Sequence, residues 1–242
     1  MPLTPYNART ALLLGEEAMD FLSSVHVVVV GTGGVGAYAV EMLARSGVGY
    51  LTIIDGDDVS ESNVNRQLPA LVSTVGMSKV EVLKRRILDI NPDCTVDAIH
   101  MFLTPGNIAE SIPENVAWVV DAIDSISPKV ALIEHCYRNK IKIISSMGAG
   151  GRIDPTQVKY ADISETFHDG LAREVRHRLR RLGISEGVKV VFSTEQPRKN
   201  ALILTDEIAF KASSFGTVAW IPSMFGLMLG AYVINQLTRR FL

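Results

Sequence analysis

The stretch VHVVVVGTGGVG, residues 25–36, runs six mostly β-branched residues straight into four glycines. Val25–Val30 has strand length and no polar alternation, which suits a strand buried on both faces of a parallel sheet. Gly31, Gly33, Gly34 and Gly36 let the chain turn tightly and let backbone N–H groups come close to an anion. Helix-like sequence follows from Gly34 to Arg45, and its first turn adds partial positive charge. Asp55 closes a second strand-like run, Tyr50–Asp55, where a carboxylate can accept from a ribose hydroxyl. Strand, glycine turn, helix and strand-end acid together predict an adenine nucleotide at one edge of a sheet.

The same rhythm continues outward. Lys79–Ile90 predicts an amphipathic helix stopped by Asn91-Pro92, and Thr95–Met101 a third strand. Trp118–Asp121 reads as the fourth strand, Ser127–Arg138 as a helix and Lys140–Ser146 as the fifth strand. Such alternation predicts an α/β fold, a Rossmann-like doubly wound, mostly parallel sheet with right-handed crossovers. After Gly148–Gly151 the pattern changes. Val158–Ile163 and Val188–Ser193 look like strands, Asp169–Leu182 like a basic helix and Asp206–Ser214 like a loop. No internal repeat or low-complexity linker appears. The expectation is one domain over 1–242: a nucleotide-binding core at about 24–150, a substrate-side elaboration at about 151–211 and a C-terminal helix at about 214–241.

Charge separates two nucleotides that both fit a glycine turn. A dinucleotide pyrophosphate carries two charges, whereas ATP carries about four and wants cationic side chains and a metal. Arg66 sits in the polar loop SNVNRQ (62–67), and Lys79 begins the next helix. Asp121 and Asp124 end the fourth strand in DAIDS (121–125). Strand C-termini open on one edge of such a sheet, where ligands bind. Arg66 and Lys79 suit the outer phosphates, and Asp124 suits magnesium.

Composition narrows the class. A chain of 242 residues with 47% hydrophobic content can build one sizeable core, and its net charge of −2 does not mark a general nucleic-acid binder. Cys94 and Cys136 form no CxxC pair, which argues against a disulfide framework or a structural zinc site. MPLTPYNART carries no apolar signal core, so a cytoplasmic location is expected. No charge falls between Ala212 and Thr238, and Pro222–Ile234 is strongly apolar. A buried core or dimer helix is the favoured reading, with peripheral membrane attachment left open.

Taken together, GTGGVG (31–36), IIDGDDV (53–59), SNVNRQ (62–67), GMSKVE (76–81), INPD (90–93) and DAIDS (121–125) resemble the ThiF/MoeB/E1-like superfamily of adenylating enzymes. The resemblance spans nearly the whole chain. It implies that Gly34 touches phosphates, that Asp55 holds the ribose, that Asn63, Arg66 and Lys79 bind the triphosphate, and that Asp57 and Gln67 also belong to the nucleotide site. It also implies that Asp124, beside Asp121 and Ser125, holds magnesium. Arg9 matches a position from which one subunit reaches its partner's ATP, implying a homodimer. Relatives carry a monovalent cation, sodium or potassium, whose ligands are not assigned in this sequence.

Within the superfamily, residues 66–83, 90–94, 121–133, 148–159 and 191–197 are most similar to the tRNA threonylcarbamoyladenosine dehydratases. That likeness implies adenylation of the threonylcarbamoyl carboxylate at position 37 of a tRNA. Attack by the group's own nitrogen or carbonyl oxygen then closes a ring and expels AMP. Arg66, Lys79 and Asp124 would carry the catalysis. A sulfur-relay protein is a further possible partner.

The residues agree with a self-cyclising substrate. Enzymes that pass an acyl group onward use a thiolate. Here Cys94 lies in a turn remote from the expected site, and Cys136 shares a helix face with Leu132 and Ile133, so both read as buried and inert. Arg173, Arg176, Arg178, Arg180 and Arg181 crowd one short helix, open both to tRNA phosphate contact and to a solvated face. Lys189, Arg198 and Lys199 could extend that patch. His100 and His135 read as structural. His168 could contact substrate, and the Gly148–Gly151 run could admit it.

Three other functions compete. An E1-like enzyme could activate the tail of a ubiquitin-like or sulfur-carrier protein. An NAD-dependent oxidoreductase would need a catalytic His or Tyr/Lys pair that is not evident. A non-catalytic scaffold sits poorly with intact Arg66, Lys79 and Asp124.

Overall fold

The computed structural model describes residues 6–204 and 213–241. Two short helices come first, α1 (Ala8–Leu14) and α2 (Glu16–Ser23), separated by Gly15 at φ 86°. The alternating part then runs β1 (His26–Val30), α3 (Gly36–Arg45), β2 (Tyr50–Ile54), α4 (Lys79–Ile90), β3 (Thr95–Ile99), α5 (Ile108–Ser111), β4 (Trp118–Asp121), α6 (Ile126–Arg138) and β5 (Ile143–Ser146). The elaboration contributes β6 (Val158–Asp162), α7 (Gly170–Arg181), β7 (Lys189–Ser193), β8 (Leu202–Leu204), β9 (Ser213–Phe215) and α8 (Trp220–Thr238).

The main sheet has seven strands in the order β3-β2-β1-β4-β5-β7-β6, parallel except for β6, which pairs antiparallel with β7. Every residue of β1 is buried, as an unbroken β-branched run requires in a covered sheet. Its side chains divide between the two faces. Val27 and Val29 pack with Leu51, Ile53, α3, α4 and α8, whereas Val28 and Val30 pack with Ile54, Val119, α5 and α6. A register slip of one residue would exchange these sets, so both cores fix the pairing. Burying each Val or Leu in them contributes about 1.5–3 kcal/mol.

Strand order reverses between β1 and β4, and a crevice opens beyond their C-terminal ends. The loops that follow them touch: a Cβ on Gly31, at φ 84°, would lie 2.7 Å from the Ala122 carbonyl oxygen. That contact places the glycine turn at the switch point.

Several boundaries differ from the sequence reading. β5 starts at Ile143 because Lys140, at φ 57°, turns the chain out of α6. The C-terminal helix starts at Trp220 and not near 214, because Ser213–Phe215 pairs with Leu202–Leu204 as a small hairpin. Most of the expected Asp206–Ser214 loop, residues 205–212, lies outside the described residues; Ser213 and Ser214 belong to β9. Pro222, Phe225, Gly226, Leu229, Gly230 and Val233 of α8 are buried, and the helix packs closely on α3. Among the described residues, no helix is long and apolar enough to cross a membrane.

Candidate functional site

The glycine turn is anchored by the acid at the end of β2. Asp55 Oδ2 accepts from the Thr32 amide at 2.6 Å and the Thr32 hydroxyl at 3.0 Å, and its Oδ1 accepts from the Asp57 amide at 2.9 Å. These bonds fix the carboxylate beside the turn and leave acceptor capacity for a ribose hydroxyl. Gly36 is obligatory by contact, since a Cβ there would sit 1.8 Å from the Gly31 carbonyl oxygen. A Cβ on Gly34 would meet Pro222 of α8 at 3.3 Å and the Arg66 stem at 3.5 Å, and one on Gly33 would meet the Gln67 amide at 3.6 Å. The turn is therefore walled by the SNVNRQ loop.

That loop is folded to present its cation. The Asn63 carbonyl oxygen accepts from the amides of Arg66 and Gln67, and Asn63 Oδ1 accepts from the Ser60 amide at 3.2 Å. One Arg66 guanidinium nitrogen donates to the Ser62 carbonyl and to Asn65 Oδ1, each at 2.8 Å, leaving its other donors uncommitted among the described residues. Burial lowers the Arg66 pKa from its ordinary value, and the Asp124 carboxylate opposes that shift. Arg66 and Asp124, expected from sequence to share a site, are thus near enough for their charges to act on one another. Lys79 is buried at the first turn of α4, and its Nζ donates to Asp57 Oδ2 at 2.7 Å. An ammonium has three donors, so this pair leaves capacity for phosphate oxygens.

Among the described residues, the buried Gln67 Oε1 beside the glycine turn lacks a hydrogen-bond partner. A polar atom left bare at a glycine turn fits a ligand or water in that place. Ser125 is the half-buried N-cap of α6, with no side-chain cap bond of its own. Among the described residues no three His, Cys, Asp or Glu side chains gather to hold a metal. The single carboxylate of Asp124, which acts electrostatically on Arg66, is the kind of donor that suits magnesium, an ion commonly held by one or two carboxylates and by phosphates themselves.

Asp121 has a different place from the one the sequence suggested. Fully buried, its Oδ2 meets Lys129 Nζ at 2.5 Å and accepts from Ser145 Oγ at 2.5 Å, while Oδ1 accepts from the Ile123 amide. Lys129 completes its donors on Ser145 Oγ and the Ser146 carbonyl. The pair sits beneath the DAIDS turn and ties β4 to β5. Lys129 was missed in the sequence, although a lysine beside the apolar set Val130, Leu132, Ile133 and Cys136 is the signal that would have found it.

Arg152 was missed too. It is buried under the Gly148–Gly151 run, where its guanidinium bonds the Gly148, Gly150 and His168 carbonyls and pairs with Asp169 at 3.3 Å. Asp169 also accepts from the Gly148 and Ala172 amides. Burial pushes the Asp169 pKa up, while Arg152 and the backbone donors pull it down. Burial pushes both thiols up to about 12, with Asp121 adding to the effect at Cys136. Neither cysteine is a ready nucleophile.

The basic helix is split by its surroundings. Arg173 and Arg176 line a cleft together with His168, whereas Arg178 pairs with Glu174 at 2.7 Å and donates to Ser127 Oγ. Arg180 and Arg181 are exposed at the far end of α7. His100 bonds the Gly56 carbonyl, and His135 lies in the last turn of α6, as structural histidines would. Arg9 is exposed on α1, two residues after Asn7, which with Tyr6 lines a small pocket with Arg45 and Gly47 at the end of α3 away from the glycine turn.

A glycine turn at the switch point, a strand-end acid and an arginine under the influence of a nearby carboxylate are the features of a Rossmann-like nucleotide-binding protein. The sequence pattern of the ThiF family matches residues 6–240, and the chain belongs to that family. It is 42% identical over 241 residues to the tRNA threonylcarbamoyladenosine dehydratase of Bacillus subtilis (strain 168), covering 96% of this chain and 94% of that protein. The Escherichia coli tRNA N6-threonylcarbamoyladenosine dehydratase in complex with ATP superposes with a TM-score of 0.90 at 38% identity, covering 99% of this chain and 98% of that one. The AMP complex of the same protein superposes at 0.87 with 40% identity, covering 96% and 94%.

Proposed function

We propose that this chain is an ATP-dependent tRNA threonylcarbamoyladenosine dehydratase built as one adenylating domain. The observation that carries the assignment is similarity to such dehydratases along nearly the whole of both chains. The buried thiols support it, because a substrate that closes on itself needs no enzyme nucleophile. The substrate carboxylate attacks the α-phosphorus of ATP and pyrophosphate leaves. The carbamoyl nitrogen, losing its proton, or the carbonyl oxygen then attacks the acyl carbon. The ring closes and AMP departs with one former carboxylate oxygen, so water is lost in sum.

Gly31–Gly36 and the start of α3 would hold the phosphates, and Asp55, with Asp57 beside it, the ribose. Asn63 shapes the loop from which Arg66 and Gln67 reach the phosphates, with Lys79 opposite. Arg66 and Lys79 would neutralise charge that builds on the leaving pyrophosphate, an effect worth about 3–4 kcal/mol for one well-placed donor. Asp124 would hold magnesium, which when bound screens phosphate charge against the incoming carboxylate. Asp121 acts through Lys129 as a positioning residue. A monovalent cation and a sulfur-relay partner belong to the same reading.

A homodimer belongs to it as well. Leu12 and Leu13 are 88% and 79% exposed on α1 beside Arg9, an apolar edge that a second copy would cover. Activation of a carrier-protein tail is the alternative within the family.

The test is incubation with ATP, magnesium and tRNA bearing threonylcarbamoyladenosine, followed by nucleoside mass spectrometry. Loss of one water with AMP release is expected. An unchanged nucleoside mass, with ATP–pyrophosphate exchange only when a carrier protein is added, would favour the alternative.

A further inference from the structure

A cleft of about 570 Å³ opens beside the Gly148–Gly151 run, at the same sheet edge as the glycine turn. Its volume is that of a small-molecule site, about 300–1,000 Å³. Two aromatic rings line it. Phe167 is braced edge-on by Phe192 at 5.5 Å and remains 48% exposed. Phe215 is 40% exposed and packs on the glycine run, where a Cβ on Gly150 would lie 2.6 Å from its own Cβ. The glycines therefore make room for that ring.

Three arginines supply the charge. Arg176 is anchored on the Thr166 carbonyl at 2.9 Å. Arg173 and Arg198 are exposed, and their side chains make no hydrogen bond or close ion pair with any described residue, although Arg173 acts electrostatically on the neighbouring Glu174. Among the described residues, the one acid in the lining, Asp169, is buried and already engaged by Arg152 and backbone amides. His168 is held in the left-handed region at φ 54°, with Nδ1 donating to the Thr194 carbonyl at 3.1 Å. In its neutral form that ring offers Nε2 as an acceptor.

Exposed aromatic faces among exposed arginines suit an unstacked base with its phosphates, the chemistry by which proteins read single-stranded RNA loops. We infer that this cleft receives an unpaired loop nucleotide flanking the modified adenosine, its base stacked on Phe167 and Phe215 and its phosphates on Arg173 and Arg198. The inference rests on the tRNA reading above and assigns a subsite to it. It also divides the basic helix, giving substrate contact to Arg173 and Arg176 and none to Arg180 or Arg181.

The experiment measures KM for modified tRNA and for ATP separately. Phe167→Ala and Phe215→Ala should each raise the tRNA KM about tenfold, the worth of one stacked base, with the ATP KM unchanged. Phe167→Trp should restore it. Arg173→Gln with Arg198→Gln should raise the tRNA KM and flatten its salt dependence, as lost phosphate contacts do. Substrates made abasic on either side of the modified adenosine complete a cycle: at one of the two positions, the abasic loss should vanish in Phe167→Ala. Wild-type turnover with an unchanged tRNA KM in the phenylalanine variants would overturn the inference. So would equal binding of a free mononucleotide, or additive losses at both abasic positions. If the wild type dehydrates no tRNA, the dehydratase function fails instead. Fluorescence anisotropy with an anticodon stem-loop, wild type against Phe167→Ala, then judges the cleft: equal affinities would sink it.

Discussion

Lys129 brings a full charge to a place with no solvent, and three acceptors there match its three donors. Replacing a buried pair with packed apolar groups is often neutral, whereas removing one partner strands the other and costs about 3–5 kcal/mol. Lys129→Met should therefore lower stability by about that amount, measured by urea denaturation. Asp121→Leu combined with Lys129→Met should recover part of the loss. Simple additivity of the two single changes would show that the pair is not coupled. His26 gives a pH-dependent counterpart. Its Nε2 meets Thr52 Oγ1 at 2.9 Å, and its ring stacks on Tyr50. Burial lowers its pKa below the ordinary 6.5, against an opposing pull from Asp97. Between 6.5 and that lowered value the unfolded chain binds more proton than the folded one, so stability falls as pH drops through the window. His26→Gln, which cannot protonate, should flatten the profile of unfolding midpoint against pH; an unaltered slope would assign the effect to another group.

Helix α8 reaches the site by lying directly on α3. A Cβ on Gly226 would come 2.1 Å from the Val35 carbonyl oxygen, and one on Gly230 would come 2.7 Å from Met42 Cβ. Two glycines in a helix sacrifice about 1 kcal/mol each in propensity, so their presence reflects contact. Gly226→Ala should destabilise by about 1–2 kcal/mol, the overpacking cost less the propensity gain. It should also raise the ATP KM, because Val35 lies inside the glycine turn. A variant more stable than wild type would refute the close approach. Gly170, with open space around it at the start of α7, should accept Ala at no cost in the same assay. These contacts explain which elements could be read from sequence. β1, β2 and β4 are continuous apolar runs bounded by turn residues, and α4 ends where Asn91-Pro92 requires, so local pattern sufficed. The hairpin of β8 and β9 depends on Leu202 meeting Phe215, a pairing between very short strands that no local periodicity marks. In the candidate site, the glycines, Asp55 and Asp124 follow strand ends, while Arg66 lies in the loop after β2 and Lys79 opens α4, positions that sequence alone can propose. Arg152 was not, because its acceptors come from Gly148, His168 and Asp169, which only the folded sheet edge brings together.

A whole-molecule question concerns Arg9, which the family resemblance sends to a neighbour's nucleotide. The start of α1 packs against the end of α3 away from the glycine turn, and exposed Leu12 and Leu13 extend from it. If two copies exchange this arginine, each active site combines Arg9 of one chain with Arg66 and Lys79 of the other. Arg9→Ala and Lys79→Ala should then each be inactive alone yet complement when mixed. A heterodimer carries one site with both residues intact and one with neither. Random exchange gives half heterodimers, so activity should return to about a quarter of wild type. Leu12→Asp with Leu13→Asp should abolish that rescue by separating the subunits, which light scattering would register as a halved mass. Failure of the mixture to recover turnover, with the dimer intact by light scattering, would place Arg9 outside the partner's site.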